Sequence, residues 1–248
     1  MSMVMKPDRI SSPVDFRAYL DARRAAGQPA ILDLGCGARK APGAFGVDAV
    51  SLPGVDLVHD LEATPYPLPE SCADQIFLTH VLEHFENPLP IMEEAWRIAR
   101  SNGRVLIRTP HYSGIYAWRD PTHRRAFSAA SFDYYGANNY SYYTTARFRV
   151  VRVRLKYFLE GSEPWRRAYR AWGRVVQWLL DRHPDFSERF LCYWVGGIDE
   201  LQVTLEAVKP PSVVTARGPD SALVATGLAV LQARASTDVS AIRRIAHG

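Results

Sequence analysis

His84, His111, Asp120 and His123 are the side chains whose types and spacing are suited to proton or metal chemistry. A histidine is largely neutral near pH 7 and can take a proton, and a neighbouring carboxylate such as Asp120 can orient it. Such a set fits removal of the proton from a hydroxyl nucleophile. Its mixed nitrogen and oxygen donors would also collect a divalent cation such as Mg, which could bind vicinal hydroxyls. In a purely structural reading Asp120 caps a turn at Pro121 and His123 holds the loop in shape. His80-Val81-Leu82-Glu83-His84 matches the H-x-x-E-H pattern of inverted zinc peptidases. That chemistry needs a helix carrying both histidines, whereas the apolar run Ile76-Phe77-Leu78 leads straight into His80 and Asn87-Pro88 follows. Only about one helical turn is available, so a peptidase is disfavoured.

A second constellation is built from backbone. Ile31-Leu32-Asp33-Leu34 runs into Gly35-Cys36-Gly37, a strand ending in two glycines. Glycine turns the chain sharply and lets a ligand approach the main chain. Thirteen residues after Gly35, the run Phe45-Gly46-Val47 ends in Asp48, where a carboxylate can accept both hydroxyls of a ribose. A dinucleotide fingerprint would add a third glycine and an acid about 20 residues on, and neither is present.

The elements that must position these groups are legible as alternating apolar runs and turns. Strands are expected at Ala30–Leu34, Ala44–Asp48, Val55–His59, Asp74–Thr79 and Gly103–Thr109. Their continuous apolar character suits a parallel sheet covered on both faces. From Leu89 to Ala99, Ile91, Ala95 and Ile98 share one helical face with Glu93, Glu94 and Arg97 outside, which predicts a crossover helix. Arg147–Phe158 and Leu201–Val208 alternate and predict an antiparallel edge. Trp165–Leu180 reads as an amphipathic helix with Trp165, Tyr169, Trp172, Val176 and Leu179 inward. Residues 147–182 hold ten basic against three acidic side chains, which suits either a wetted helix face or an anionic substrate or membrane surface. After Pro210-Pro211 a peripheral tail is expected, with a short helix at Ser221–Arg234.

Asp33-Leu34-Gly35-Cys36-Gly37, Gly46-Val47-Asp48, His59-Asp60-Leu61 and the run from Leu78 to His84 together resemble, in this order, the motif series of class I S-adenosylmethionine-dependent methyltransferases. The resemblance covers roughly residues 28–125. With the patterning of the later residues, the expected fold is α/β: a Rossmann-like, mostly parallel seven-stranded sheet with an antiparallel edge and a helical insertion, about 160–195, before the last strand. The resemblance implies S-adenosylmethionine as cofactor. Gly35, Cys36 and Gly37 would approach the methionine portion, Asp33 would lie near its amino group, and Asp48 would take the ribose. Asp60 and Leu61 would border the adenine, with His80 at the same carboxyl edge of the sheet. Only ten residues separate Gly37 from Asp48, too few for a full crossover helix. In this the chain resembles a subgroup with an abbreviated first helix, often found among enzymes that modify polysaccharides.

The remaining features limit the alternatives. Three cysteines, Cys36, Cys72 and Cys192, with no repeating spacing, argue against a disulfide framework or zinc ribbon. The formal charge of +4 is too small to imply nucleic acid. No run approaches a transmembrane segment, and a cytoplasmic location is expected. The domain is expected to span 1–209, with the tail at 210–248. The expected activity is methyl transfer, most readily to a hydroxyl of a sugar, oligosaccharide or glycan precursor. His84, His111, Asp120 and His123 would do the acid/base or metal work. Tyr134, Tyr135, Tyr140, Tyr142, Tyr143 and Trp118 offer faces on which a sugar could stack. The alternatives are an N- or C-methyltransferase of a natural-product or lipid intermediate, and a degenerate fold that only binds. A homodimer is compatible with the sequence.

Overall fold

The computed structural model describes residues 13–136, 142–157 and 170–210. The chain divides after Lys209, and the expected tail helix at Ser221–Arg234 lies outside the described residues. The unit up to Lys209 is built on one seven-stranded sheet in the order β3-β2-β1-β4-β5-β7-β6. β1 (Ile31–Leu34), β2 (Phe45–Asp48), β3 (Leu57–Val58), β4 (Ala73–Thr79) and β5 (Ala99–Pro110) run parallel. β6 (Phe148–Lys156) and β7 (Glu200–Ala207) close the edge antiparallel, β7 beside β5. Strand order reverses between β1 and β4, and open α/β sheets bind ligands at the carboxyl ends of the strands flanking such a reversal.

Local sequence explains why β1 and β2 can be joined so briefly. Residues 38–44 form turns and no helix. The cover that a crossover would supply comes from α1 (Pro13–Ala25), whose Phe16 packs edge-on against Phe45 with ring centroids 4.8 Å apart. The Tyr19 hydroxyl ties α1 to β1, donating to the Ile31 carbonyl at 2.8 Å and accepting from the Ile31 amide at 2.9 Å.

Two helix expectations need correction. In α2 (Leu89–Ile98), Ile91, Ala95 and Ile98 are buried as the spacing requires, but so is Glu94, which was expected outside. Residues 66–68 cover that side of the helix. The Glu94 carboxylate accepts the Tyr66 amide and two hydrogen bonds from Arg97, whose guanidinium also reaches the Leu68 and Tyr66 carbonyls. Burial pushes the Glu94 carboxyl up, but the Arg97 and Tyr66 hydrogen bonds outweigh it and hold it below its usual range.

In α4 (Arg170–Arg182), Val176 and Leu180 are buried while Trp172 and Trp178 face out. The inward stripe is therefore rotated from the expected one. Gln177 explains the shift, because its side chain donates to the Leu155 carbonyl and accepts the Tyr157 amide, seating the helix on β6. The first turns expected for this helix, with Trp165 and Tyr169, lie outside the described residues. No helix among the described residues is long and apolar enough to cross a membrane.

Candidate active site

At the end of β1 the chain turns through Gly35 and Gly37, at φ +72° and +53°, a region that glycine enters without cost. A Cβ on Gly35 would stand 2.5 Å from Val81, so the turn after β1 lies directly against the segment after β4. A Cβ on Gly37 would project into open space, which leaves its backbone bare to a ligand. Asp48, at the tip of β2, accepts the Gly37 amide at 2.8 Å and the Val50 amide at 2.9 Å, one on each oxygen. Each oxygen keeps a lone pair for a further donor. Bare main chain beside a partly used carboxylate fits the nucleoside and methionine portions of S-adenosylmethionine.

The neighbouring residues brace this cradle. Asp33 is buried and accepts the Ala41 amide at 2.7 Å. Burial raises its carboxyl, opposed by that hydrogen bond and by Lys40. Cys36 offers only its backbone. A Cβ on Gly46 would lie 2.8 Å from the Cys36 sulfur, and burial followed by the charge of Asp33 pushes the thiol up to about 11. Asp60 is exposed after β3, its carboxylate closing a local turn onto the Glu62 amide, while Leu61 is buried.

A pocket of about 550 Å³ opens at the carboxyl ends of β4 and β5, lined by His80, His84, Pro110, Tyr116, Arg119, Asp120, Pro121 and His123. Local folding explains the convergence. After β4, His80 takes a left-handed φ of +54°, and Leu82–His84 make one 3₁₀ turn, too short to carry a peptidase helix. The loop after β5 forms α3 (Tyr116–Arg119) and folds back, and the Glu83 carbonyl accepts the Arg124 and Arg125 amides at 2.7 and 3.2 Å. This sets the His123 ring edge-on to His84, with centroids 4.8 Å apart.

His80 is held by two carboxylates. Its Nε2 is 3.1 Å from Glu200 and its Nδ1 3.2 Å from Glu83. Hydrogen bonds to Glu200 and then Glu83 outweigh burial and raise its pKa to about 9. His80 is therefore an imidazolium at neutral pH and has no lone pair to act as a base. Burial pushes Glu200 up, but its hydrogen bonds from His80 and Gln202 hold it below its usual range. The histidine's share of stability is complete below its ordinary value near 6.5 and disappears as pH rises through about 9. The Glu200 share is present above the ordinary carboxylate range and is lost as pH falls. Unfolding midpoints followed against pH should decline between about 6.5 and about 9 in the native protein, and His80→Gln should remove that decline.

His111 is placed elsewhere. Pro110 lines the pocket, and strand alternation turns the next side chain to the other face. His111 is fully buried, with Nδ1 2.8 Å from the Ser113 hydroxyl and Nε2 2.9 Å from the Glu188 carboxylate. It joins the end of β5 to the helical segment around Glu188 and does not meet the other three. His111→Ala should lower the free energy of unfolding in urea by about 2–3 kcal/mol, because it strips a half-buried carboxylate of its partner. Cofactor affinity of the folded fraction should stay unchanged.

The expected aromatic platform divides. Tyr135 is core, whereas Tyr134, Tyr142, Tyr143 and Trp118 are exposed and outside the pocket lining. Tyr140 lies outside the described residues. Tyr116 and Arg119 line the pocket although no sequence signal singles them out. Glu188 and Glu200 are distant in sequence from the histidines they hold.

Residues 32–107 match the family model described as a methyltransferase domain. That span contains the glycine turn, Asp48 and the segment His80–His84. No curated protein sequence matches the chain. Among solved structures, the chain is similar to the YcgJ protein of Bacillus subtilis at 14% identity, covering 78% of this chain and 99% of that one, with a TM-score of 0.47. It is also similar to an S-adenosylmethionine-dependent methyltransferase of Archaeoglobus fulgidus at 15% identity, covering 79% and 94%, with a TM-score of 0.43.

Proposed function

We propose that this enzyme, a methyltransferase with S-adenosylmethionine as its cofactor, methylates a hydroxyl of a sugar, oligosaccharide or glycan precursor. When bound, the cofactor supplies a methyl group on a sulfonium. Gly35 and Gly37 give it bare backbone, Asp48 accepts its ribose hydroxyls, and Asp60 and Leu61 border its base. Val81 packs against Gly35 and joins this cradle to the pocket that holds the acceptor.

The observation that carries the hydroxyl reading is the meeting of His84, Asp120 and His123 on one side of that pocket. Methyl transfer to an alcohol requires removal of a proton that water at neutral pH scarcely takes. The amides and hydroxyl of this loop fix the groups that can take it. Asp120 accepts the Thr122 amide and hydroxyl at 2.8 and 2.7 Å, which keeps its carboxyl below its usual range. Arg119 and Tyr116 add hydrogen-bonding capacity suited to a polyhydroxylated ring. Pro110 and Pro121 supply apolar wall.

The test is transfer of labelled methyl to a panel of glycans, amines and C–H acids, with the linkage read by NMR. A methyl ether on a sugar is the expected product. A methyl found only on nitrogen or carbon would overturn the acceptor class. In parallel, S-adenosylhomocysteine should raise the thermal midpoint. A protein unmoved by it would be a fold that has lost its cofactor.

A further inference from the structure

We propose that Glu83, His84 and His123, completed by Asp120, bind one divalent transition-metal cation in the wall of the acceptor pocket. Donor atoms of Glu83, His84 and His123 lie within 4.8 Å of one another. Ligands at about 2.0–2.2 Å from a cation stand roughly 3–4 Å apart, so small side-chain rotations complete the cluster. Asp120 Oδ2 lies 3.9 Å from His123 Nε2.

The tautomers carry the argument. His123 Nδ1 is 3.2 Å from the Ala117 carbonyl, which can only accept, so the ring proton sits on Nδ1. Thr122 donates its single hydroxyl proton to Asp120, so its oxygen must accept from His84 Nδ1 at 3.0 Å. In their neutral forms both rings therefore carry their proton on Nδ1 and present a bare Nε2. Metal-binding histidines are oriented in this way, the second nitrogen donating to a carbonyl or hydroxyl. His123 Nε2 then faces the Asp120 carboxylate, lone pair towards lone pair, across a gap that a cation would bridge. Glu83 adds a carboxylate that is 1% exposed, one oxygen accepting from Thr109 at 3.1 Å and the other 3.2 Å from His80 Nδ1, and each oxygen has a second lone pair. Two imidazoles with carboxylates suit Zn²⁺, Mn²⁺ or Co²⁺ better than Mg²⁺.

The role of the cation rests on the hydroxyl-acceptor reading. Contact with the cation lowers the pKa of the acceptor O–H; the acceptor oxygen bonds the methyl carbon as the sulfonium S–C bond breaks, S-adenosylhomocysteine leaves, and the proton passes to water. Under this arrangement the imidazoles of His84 and His123 are ligands, and the sequence-derived cation set loses His111 and gains Glu83.

The experiment uses tag-free full chain stripped with a chelator and titrated with Co²⁺ and Zn²⁺, read by visible absorption and calorimetry. One equivalent should bind, with d–d bands showing nitrogen ligation. His84→Ala and His123→Ala should each weaken binding about tenfold or more, while an exposed control, His183→Ala, should not. Unchanged S-adenosylhomocysteine affinity certifies that the variants are folded. No stoichiometric binding by folded wild type, or equal binding by the two site variants, overturns the proposal. Ether formation that is fully retained in stripped protein overturns the cation's role and leaves the hydroxyl acceptor standing. A stoichiometric cation in an enzyme that methylates only nitrogen supports the site and overturns the acceptor reading.

Discussion

Asp48→Ala should weaken S-adenosylhomocysteine binding by more than about 100-fold, measured by calorimetry. Charge-assisted hydrogen bonds contribute about 1.5–3 kcal/mol each, and a carboxylate at the tip of β2 offers two to a ribose. The substitution also removes the acceptor that holds the Gly37 amide at 2.8 Å, so the glycine turn loses its brace along with the ligand. Asp48→Asn keeps one acceptor oxygen and should fall between wild type and alanine. Because Asp48 is half-buried at a strand end, both variants should fold, with unchanged far-ultraviolet circular dichroism. Wild-type affinity in Asp48→Ala would separate this carboxylate from the cofactor.

His123→Ala should lower kcat by about 10²–10⁴-fold, the range for loss of a group that handles the proton, with S-adenosylhomocysteine affinity within about twofold of wild type. The separation of the two effects is structural. His123 is anchored to the Ala117 carbonyl in the loop after β5, whereas the cradle is built from the ends of β1, β2 and β3. The fall in turnover is expected whether His123 takes the proton or holds a cation, and chelator sensitivity tells these apart. Normal turnover would remove His123 from the chemistry.

The sheet was readable because its strands are short apolar runs that end in groups with a positional purpose: Gly35 at a sharp turn, Asp48 at a tip, His80 at a carboxyl edge. Both antiparallel strands followed from alternation, and the lack of room for a full crossover helix followed from counting ten residues, although the abbreviated helix expected in its place is only turns. The burial of Glu94 was not readable, because its cover comes from residues 66–68 and its charge partner Arg97 looks equally exposed on a helical wheel. The rotation of α4 was hidden for a similar reason: polar Gln177 faces inward to serve the edge of β6, which a count of apolar spacing reads as outward.

At the site, the local pairing of Asp120 with His123 was legible from spacing. The approach of His84 was not, because it depends on two loop amides closing onto the Glu83 carbonyl. His111 was misplaced for want of a strand boundary: one residue of continued β5 sends it to the opposite face, into the hands of Glu188, 77 residues away. Glutamates such as Glu188 and Glu200 leave no trace in the sequence beside the histidines they hold, so the charge state of His80 could be read only from the fold.

The most direct measurement is a crystal structure of the full chain with S-adenosylhomocysteine. The ribose hydroxyls should lie within hydrogen-bonding distance of Asp48, the methionine portion against Gly35 and Gly37, and the sulfur towards the pocket of His84, Asp120 and His123. A nucleoside bound away from Asp48, or a sulfur facing away from that pocket, would contradict the account.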